Sequence, residues 1–268
     1  MKTYKDQLGR TVELPKTPIR IISIVPSITE LLYDLGLEEQ VVGITSYCVH
    51  PYHFLATKTS IGGTKKVNLQ RVKELNPDFI ICNKEENTPE MVTALSEIAP
   101  VYVSDVNTIE DSLDLIQQLG SILSCRTETT NLVTKINYKL DDFKRYIKNK
   151  PTRKVAYFIW AEPWMVAGNN TFINEILKLN KFENIYQNLD RYPIIKLEKI
   201  RFDGDPRIVL LPSEPFKFTD DHAFEIASYA NRSMTVFADG EYFSWYGSRL
   251  LKAFDYFKQL QEKIDSSF

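Results

Sequence analysis

Four short apolar runs in the first half of this chain, Arg20–Val25, Val41–Thr45, Phe79–Asn83 and Val101–Ser104, each give way to a stretch whose apolar residues fall at helical spacing. That alternation constrains the fold more than any other feature. Strands separated by helices pair in parallel through crossovers, and the resulting sheet is covered on both faces. The second half repeats the pattern, with strands expected at Lys154–Ile159, Arg207–Leu211 and Thr235–Ala238 and helices over Phe172–Leu179 and Ser248–Ile264.

An internal correspondence joins the halves. "LQRVKELNPDFIICN" matches "LEKIRFDGDPRIVLLP", a short amphipathic helix, an Asx-Pro turn and a buried strand, and "VYVSD" answers "VFADG". Between them Leu132, Ile136, Leu140, Phe143 and Ile147 recur at spacings of four, four, three and four, which predicts one helix face over about Arg126–Lys148, stopped at Pro151. The expected fold class is therefore α/β: two Rossmann-like lobes joined by one long rigid helix, with a ligand cleft between the lobes. The expected boundaries are 1–124 for the first lobe, 125–150 for the connecting helix and 151–268 for the second lobe.

Composition narrows the function classes. The formal charge of −2, with basic and acidic residues interspersed, gives no electrostatic case for nucleic acid, and no apolar run reaches membrane-spanning length. Cys48, Cys82 and Cys125 are odd in number and form no C-x-x-C pair, against a disulfide framework or a zinc ribbon. "MKTYKDQLGRTVELP" has no apolar core of a secretory leader, so a cytoplasmic location is one expectation.

In open α/β sheets ligands bind beyond the carboxyl ends of the strands. The residues there are Pro26-Ser27, Tyr47-Cys48, Lys84-Glu85 and Asp105, then Trp160 to Trp164, Ser213-Glu214 and Gly240 to Tyr246, and all three tryptophans lie in this last group of loops. Aromatic faces with a few charged groups suit a large, flat, partly polar ligand. The plainer reading is that Tyr242 and Phe243 pack beneath their loop while Ser244 caps the following helix. "TSYCVHPYH" sets Cys48, His50 and His53 close together, so a metal-dependent or thiol enzyme is a competing reading, although no fourth ligand or orienting third group is evident. "IGGTKK" lacks the spacing of a phosphate loop, and no nucleophile elbow or dinucleotide fingerprint occurs.

"DQLGRTVELPKTPIRIISIVPSITELLYDLGLEEQVVGITSYCVHP", "IGGTKKVNLQRVKELNPDFIICN" and "IWAEPWMVAGNNTFINEILKLNKFENIY" together resemble the helical-backbone substrate-binding proteins of ABC importers. "SYCVHP", "AGNNTFINEIL" and "SWYGSR" bring the chain nearest the cobalamin-binding branch. The resemblance implies a non-enzymatic, monomeric binder without a catalytic cofactor, holding cobalamin or a similar metal chelate, with ferric siderophore or haem as alternatives. It implies ligand contacts from Pro26, Ser27, Tyr47 and Cys48 in the first lobe and from Trp160, Glu162, Trp164, Trp245 and Arg249 in the second, with Lys84 and Glu85 as further candidates. It also implies a cell-envelope location and docking on a permease through one acidic residue per lobe. Glu198 supplies the second of these, whereas the matching first-lobe position is the neutral Gln70.

Overall fold

The computed structural model describes residues 1–267, and they form two compact units. The first contains Met1–Val106, Glu110–Asn137 and Trp245–Leu250; the second contains Asn107–Ile109, Tyr138–Ser244 and 251–267.

In the first unit, β1 (Lys2–Lys5) and β2 (Thr11–Leu14) form an antiparallel hairpin. There follow β3 (Ile21–Ser23), α1 (Pro26–Asp34), β4 (Val41–Ile44), α2 (Phe54–Thr57), β5 (Thr59–Ser60), α3 (Leu69–Glu74), β6 (Phe79–Asn83), α4 (Pro89–Ser96), β7 (Val101–Ser104) and α5 (Ile109–Ile122). The sheet is parallel throughout, in the order β5-β4-β3-β6-β7. Local chemistry sets the ends of its helices. Pro26 and Pro89 occupy first-turn positions, where their missing N–H is not needed, and the side chains of Asn68 and Thr88 cap α3 and α4. Gly36, at φ 76°, ends α1 in a Schellman turn, with Leu37 N donating to Leu32 O and Gly36 N to Tyr33 O. On one face of the sheet Ile22, Ile24, Ile80, Cys82, Val101 and Val103 pack with Val72 of α3 and Leu95 of α4.

The hairpin had no counterpart in the apolar-run reading, and it has a definite task. β7 is the edge strand, and its outer backbone groups would lack partners. The turn between β1 and β2 supplies them. Asp6 Oδ2 accepts from Val103 N at 3.2 Å, Gln7 Oε1 accepts from Asp105 N at 3.0 Å, and Arg10 Nη2 donates to Val101 O at 3.2 Å.

In the second unit the elements are β8 (Arg153–Trp160), β9 (Met165–Val166), α7 (Phe172–Leu179), β10 (Phe182–Asn184), α8 (Ile200–Asp203), β11 (Ile208–Pro212), α9 (Asp220–Tyr229), β12 (Met234–Ala238), α10 (Glu241–Ser244) and α11 (Leu250–Asp265). The parallel strands run in the order β10-β8-β11-β12, with β9 pairing antiparallel to β8. This is the order β4-β3-β6-β7 again, so the correspondence of "LQRVKELNPDFIICN" with "LEKIRFDGDPRIVLLP" is one of topology, each ending in the third strand of the series.

The long helix, α6 (Arg126–Ile147), is on the order of 33 Å long. All five residues of its expected stripe are buried. Residues 126–137 belong to the first unit and 138–147 to the second, where Phe143 stacks on Phe254 of α11 at 6.0 Å. The expected boundaries thus differ from the observed ones at three places, the first being Asn107–Ile109, expected in the first lobe and found in the second unit. The helix is shared by the units instead of lying outside both, and Trp245–Leu250, expected in the second lobe, belongs to the first unit.

Candidate functional site

At the carboxyl end of the second unit's sheet, Trp160 closes β8 and is 42% exposed. Trp160 and Phe216 meet edge to face at 5.1 Å; Phe216 meets Phe218 at 4.9 Å, and Phe218 lies parallel to Trp164 at 6.4 Å, with an interplanar angle of 11°. His222 closes the group, 5.2 Å from Phe216, and its Nδ1 accepts from Thr219 N in a capping box that starts α9. Trp164 is half-buried and packs on the core through Phe158, so it supports the wall while Trp160 is its more exposed member. Phe216, Phe218 and His222 lie beyond Ser213 and Glu214, the strand-end residues expected from the sequence; the alternation of Phe216 and Phe218 after Pro215 is the sequence signal for them.

Glu162 follows Trp160 in the same loop, exposed and at φ 60°, a left-handed conformation uncommon for a residue with a side chain. Glu214 is fixed more firmly. Ser244 Oγ donates to its Oε1 at 2.8 Å, and a Cβ on Gly240 would meet Glu214 backbone and side-chain atoms at 2.9–3.0 Å, so only glycine permits the β11 and β12 loops to approach this closely. Ser244 therefore holds Glu214 and does not cap the helix that follows. As in the plainer reading, Phe243 is buried beneath the loop against Tyr157 and Phe257, and Tyr242 stacks on Tyr256 at 4.6 Å.

At the carboxyl end of the first unit's sheet the exposed aromatics are Tyr47, 61% exposed, and Tyr52, 75% exposed. Gly63 backs the Tyr47 ring closely enough that an added Cβ would lie 3.2 Å from it, which is the structural use of "IGGTKK". Pro26 is half-buried at the start of α1, and Ser27 behind it is buried.

Three expected ligand contacts have other roles. Cys48 is fully buried; its thiol lies 3.1 Å from Thr29 Oγ1 and 3.2 Å from Thr45 Oγ1, and burial pushes its ionisation upward against those two hydrogen bonds. Arg249 is also buried, its Nε donating to Glu30 Oε2 at 2.8 Å and its guanidinium stacked 4.9 Å above the Trp245 ring. Trp245 is 6% exposed, with His50 at its edge at 5.5 Å. These residues fasten 245–250 to the first unit, together with Gly247 N donating to Ser112 Oγ. Lys84 pairs with Asp105 at 2.6 Å, and Glu85 accepts a hydrogen bond from Lys65 through its backbone carbonyl. Glu198 and Gln70 are both exposed, Gln70 donating to Glu74.

The metal or thiol-enzyme reading fails on the same geometry. Cys48 points to two threonines, His50 packs between Tyr52 and Trp245, and His53 Nε2 bonds Glu38 at 2.8 Å. No group of three metal-ligating side chains occurs among the described residues. Nor is any helix among the described residues long and apolar enough to cross a membrane.

A family model described as "periplasmic binding protein" matches residues 21–227. An uncharacterised ABC transporter substrate-binding lipoprotein of Bacillus subtilis is 26% identical over 68% of this chain, and the match spans 60% of that protein's length. A vitamin B12-binding protein of Pectobacterium carotovorum is 23% identical over 88% of this chain and 86% of its own. Among solved structures, the periplasmic vitamin B12 binding protein BtuF of Vibrio cholerae superposes with a TM-score of 0.78 at 19% identity, over 92% of this chain and 99% of that one. With a family match that runs from β3 into α9, over more than half of its length, the chain belongs to the periplasmic binding protein family.

Proposed function

We propose that this protein binds a corrinoid or a closely related flat metal chelate in the cell envelope and, as a monomer, delivers it to the permease of an ABC importer. The observation that carries the reading is the aromatic wall of Trp160, Phe216, Trp164 and Phe218 at the strand ends of the second unit, in which Trp160 is 42% exposed. Burying a few hundred Å² of macrocycle on such faces is worth several kcal/mol at roughly 25 cal/mol per Å², before association costs are deducted. In the second unit Glu162 and Glu214 supply polar contacts beside this wall; in the first unit, taken by itself, the candidate contacts are Pro26, Tyr47 and Tyr52. Family membership supports the envelope location, and the comparisons lend none to a cytoplasmic one. On the permease side Glu198 is the docking residue of the second unit; in the first, Glu74 stands one helical turn from Gln70 and takes the acidic role.

The test is direct. Cobalamin added to the pure protein quenches tryptophan fluorescence and co-elutes from gel filtration, and Trp160→Ala weakens binding at least about tenfold, the loss of one stacked aromatic face. Failure of cobalamin both to quench and to co-elute sinks the corrinoid assignment, and retention of haem or a ferric siderophore in its place selects the alternative ligand.

A further inference from the structure

The helical run Leu197–Asp203 in the second unit has an inner and an outer side. Leu197 and Ile200 enter the core with Ile226 and Ala230 of α9, which meets the apolar demand of both segments. Glu198 and Phe202, one turn apart, are left in solvent. Phe202 is 90% exposed, the most open large apolar residue among those described, and it makes no ring contact with any of them. Nothing in the fold asks for an aromatic there: in the internal correspondence of "LQRVKE" with "LEKIRF" its place is taken by Glu74 of α3, which is exposed as well. α9 packs against the turn 197–199 and adds Phe224, 74% exposed and likewise without a ring contact. The exposed charges of the run are mixed, Lys196, Lys199 and Arg201 against Glu198 and Asp203, whereas α9 adds Asp220, Asp221 and Glu225 and no lysine or arginine. Glu198 itself has no ion pair among the described residues.

Resting on the importer reading above, we infer that Phe202 is the apolar anchor of the permease-docking surface, entering an apolar pocket of the permease whose rim is basic. Glu198 and the carboxylates of α9 meet that rim, and Phe224 widens the apolar contact. An aromatic that passes from nearly full exposure into a pocket supplies the larger part of the affinity, and the charges around it govern encounter and orientation. The acidic excess fits a cationic protein surface and opposes an anionic lipid one. At the positions that correspond to Glu198 and Phe202 the first unit carries Gln70 and Glu74, without an aromatic, so the two units are not interchangeable on the permease.

The test uses the full chain and the host cell's ABC importer, defined by uptake of cobalamin, haem or a ferric siderophore that requires this protein, and held in lipid nanodiscs. The parent protein binds these discs and does not bind discs of the same lipid alone. Phe202→Ser weakens that binding about tenfold or more, the loss of one buried aromatic anchor. Glu198→Gln weakens it severalfold and flattens its dependence on salt. Both variants keep the parent's thermal midpoint and its affinity for the chelate, since neither side chain lies in the core or in the aromatic wall. Phe202→Ser binding the importer discs as tightly as the parent overturns the anchor and leaves delivery to an importer standing. Equal binding of the parent to importer discs and to lipid-only discs makes the membrane the occupant and overturns it too. If no importer depends on this protein or binds it, the delivery reading falls and this inference falls with it.

Discussion

Arg249 looked from its position like the cation that would fix a charged ligand, and its side chain is spent inside the fold. Its ion pair with Glu30 is buried, each side chain being 6% exposed, and a buried charge left without its partner is strongly destabilising. Arg249→Met should therefore lower stability by about 3–5 kcal/mol in urea unfolding, and Glu30→Met introduced alongside it should recover much of that loss, because an apolar pair replaces a lone carboxylate. Recovery with the double variant identifies the pair as the cause; a single variant as stable as the parent contradicts it. Cys48 teaches the same lesson. A thiol hydrogen-bonded to two threonine hydroxyls in a fully buried position belongs to packing, whatever its neighbours in sequence suggest.

Among the elements, the hairpin of β1 and β2 and the helix α11 carry the clearest dependence on single contacts. Asp6 accepts from Leu8 N, Arg10 N and Val103 N and pairs with Arg10, so its carboxylate both shapes the turn and covers the edge of β7. Asp6→Ala strands those donors and should cost about 2–4 kcal/mol in thermal or denaturant unfolding. At the other end of the chain Asp265 on α11 bonds Lys150 at 2.5 Å and Arg153. The hydrogen bond from Lys150 is the first cause that holds the Asp265 carboxyl below its usual range, and the same bond, from the Asp265 side, raises Lys150. The signs follow from linkage. The Asp265 contribution is present above the ordinary carboxylate range and is lost as pH falls through its depressed value; the Lys150 contribution is present below the ordinary lysine range and is lost as pH rises through its raised one. Both groups are partly solvated, so the effect is modest. The urea midpoints of the parent and Asp265→Asn should differ at pH 7 and converge as the pH falls below the ordinary carboxylate range; a difference that persists unchanged in acid removes the ion pair as its origin.

For the molecule as a whole, ligand binding and stability are linked. A ligand that binds only the folded protein and is present at 100 times its dissociation constant adds about 2.7 kcal/mol, or a few degrees in Tm for a chain of this length. Cobinamide should raise Tm in this way, Trp160→Ala should shrink the increment, and Trp245→Ala should instead lower the Tm of the unliganded protein, because Trp245 is a buried platform for Arg249. An equal increment in the parent and in Trp160→Ala would take Trp160 out of the ligand contacts.

The sequence by itself determined the two parallel α/β sheets and the α6 stripe, because strand and helix periods and the Pro, Gly and Asx punctuation are local properties that the chain must satisfy wherever it lies. It also located the loops that carry Trp160 and Glu162. Only the tertiary structure decided which of the strand-end residues face solvent and which face protein. Glu30 and Arg249 are 219 residues apart, Asp6 and Val103 are 97 apart, and Cys48 meets Thr29 across 19. The same decision sent Trp245–Leu250 to the first unit, although its place in the chain put it in the second. Nothing in the period of a helix or strand records such partners, since pairing of this kind is set by which buried charge and which buried hydroxyl require satisfaction once the sheets have formed.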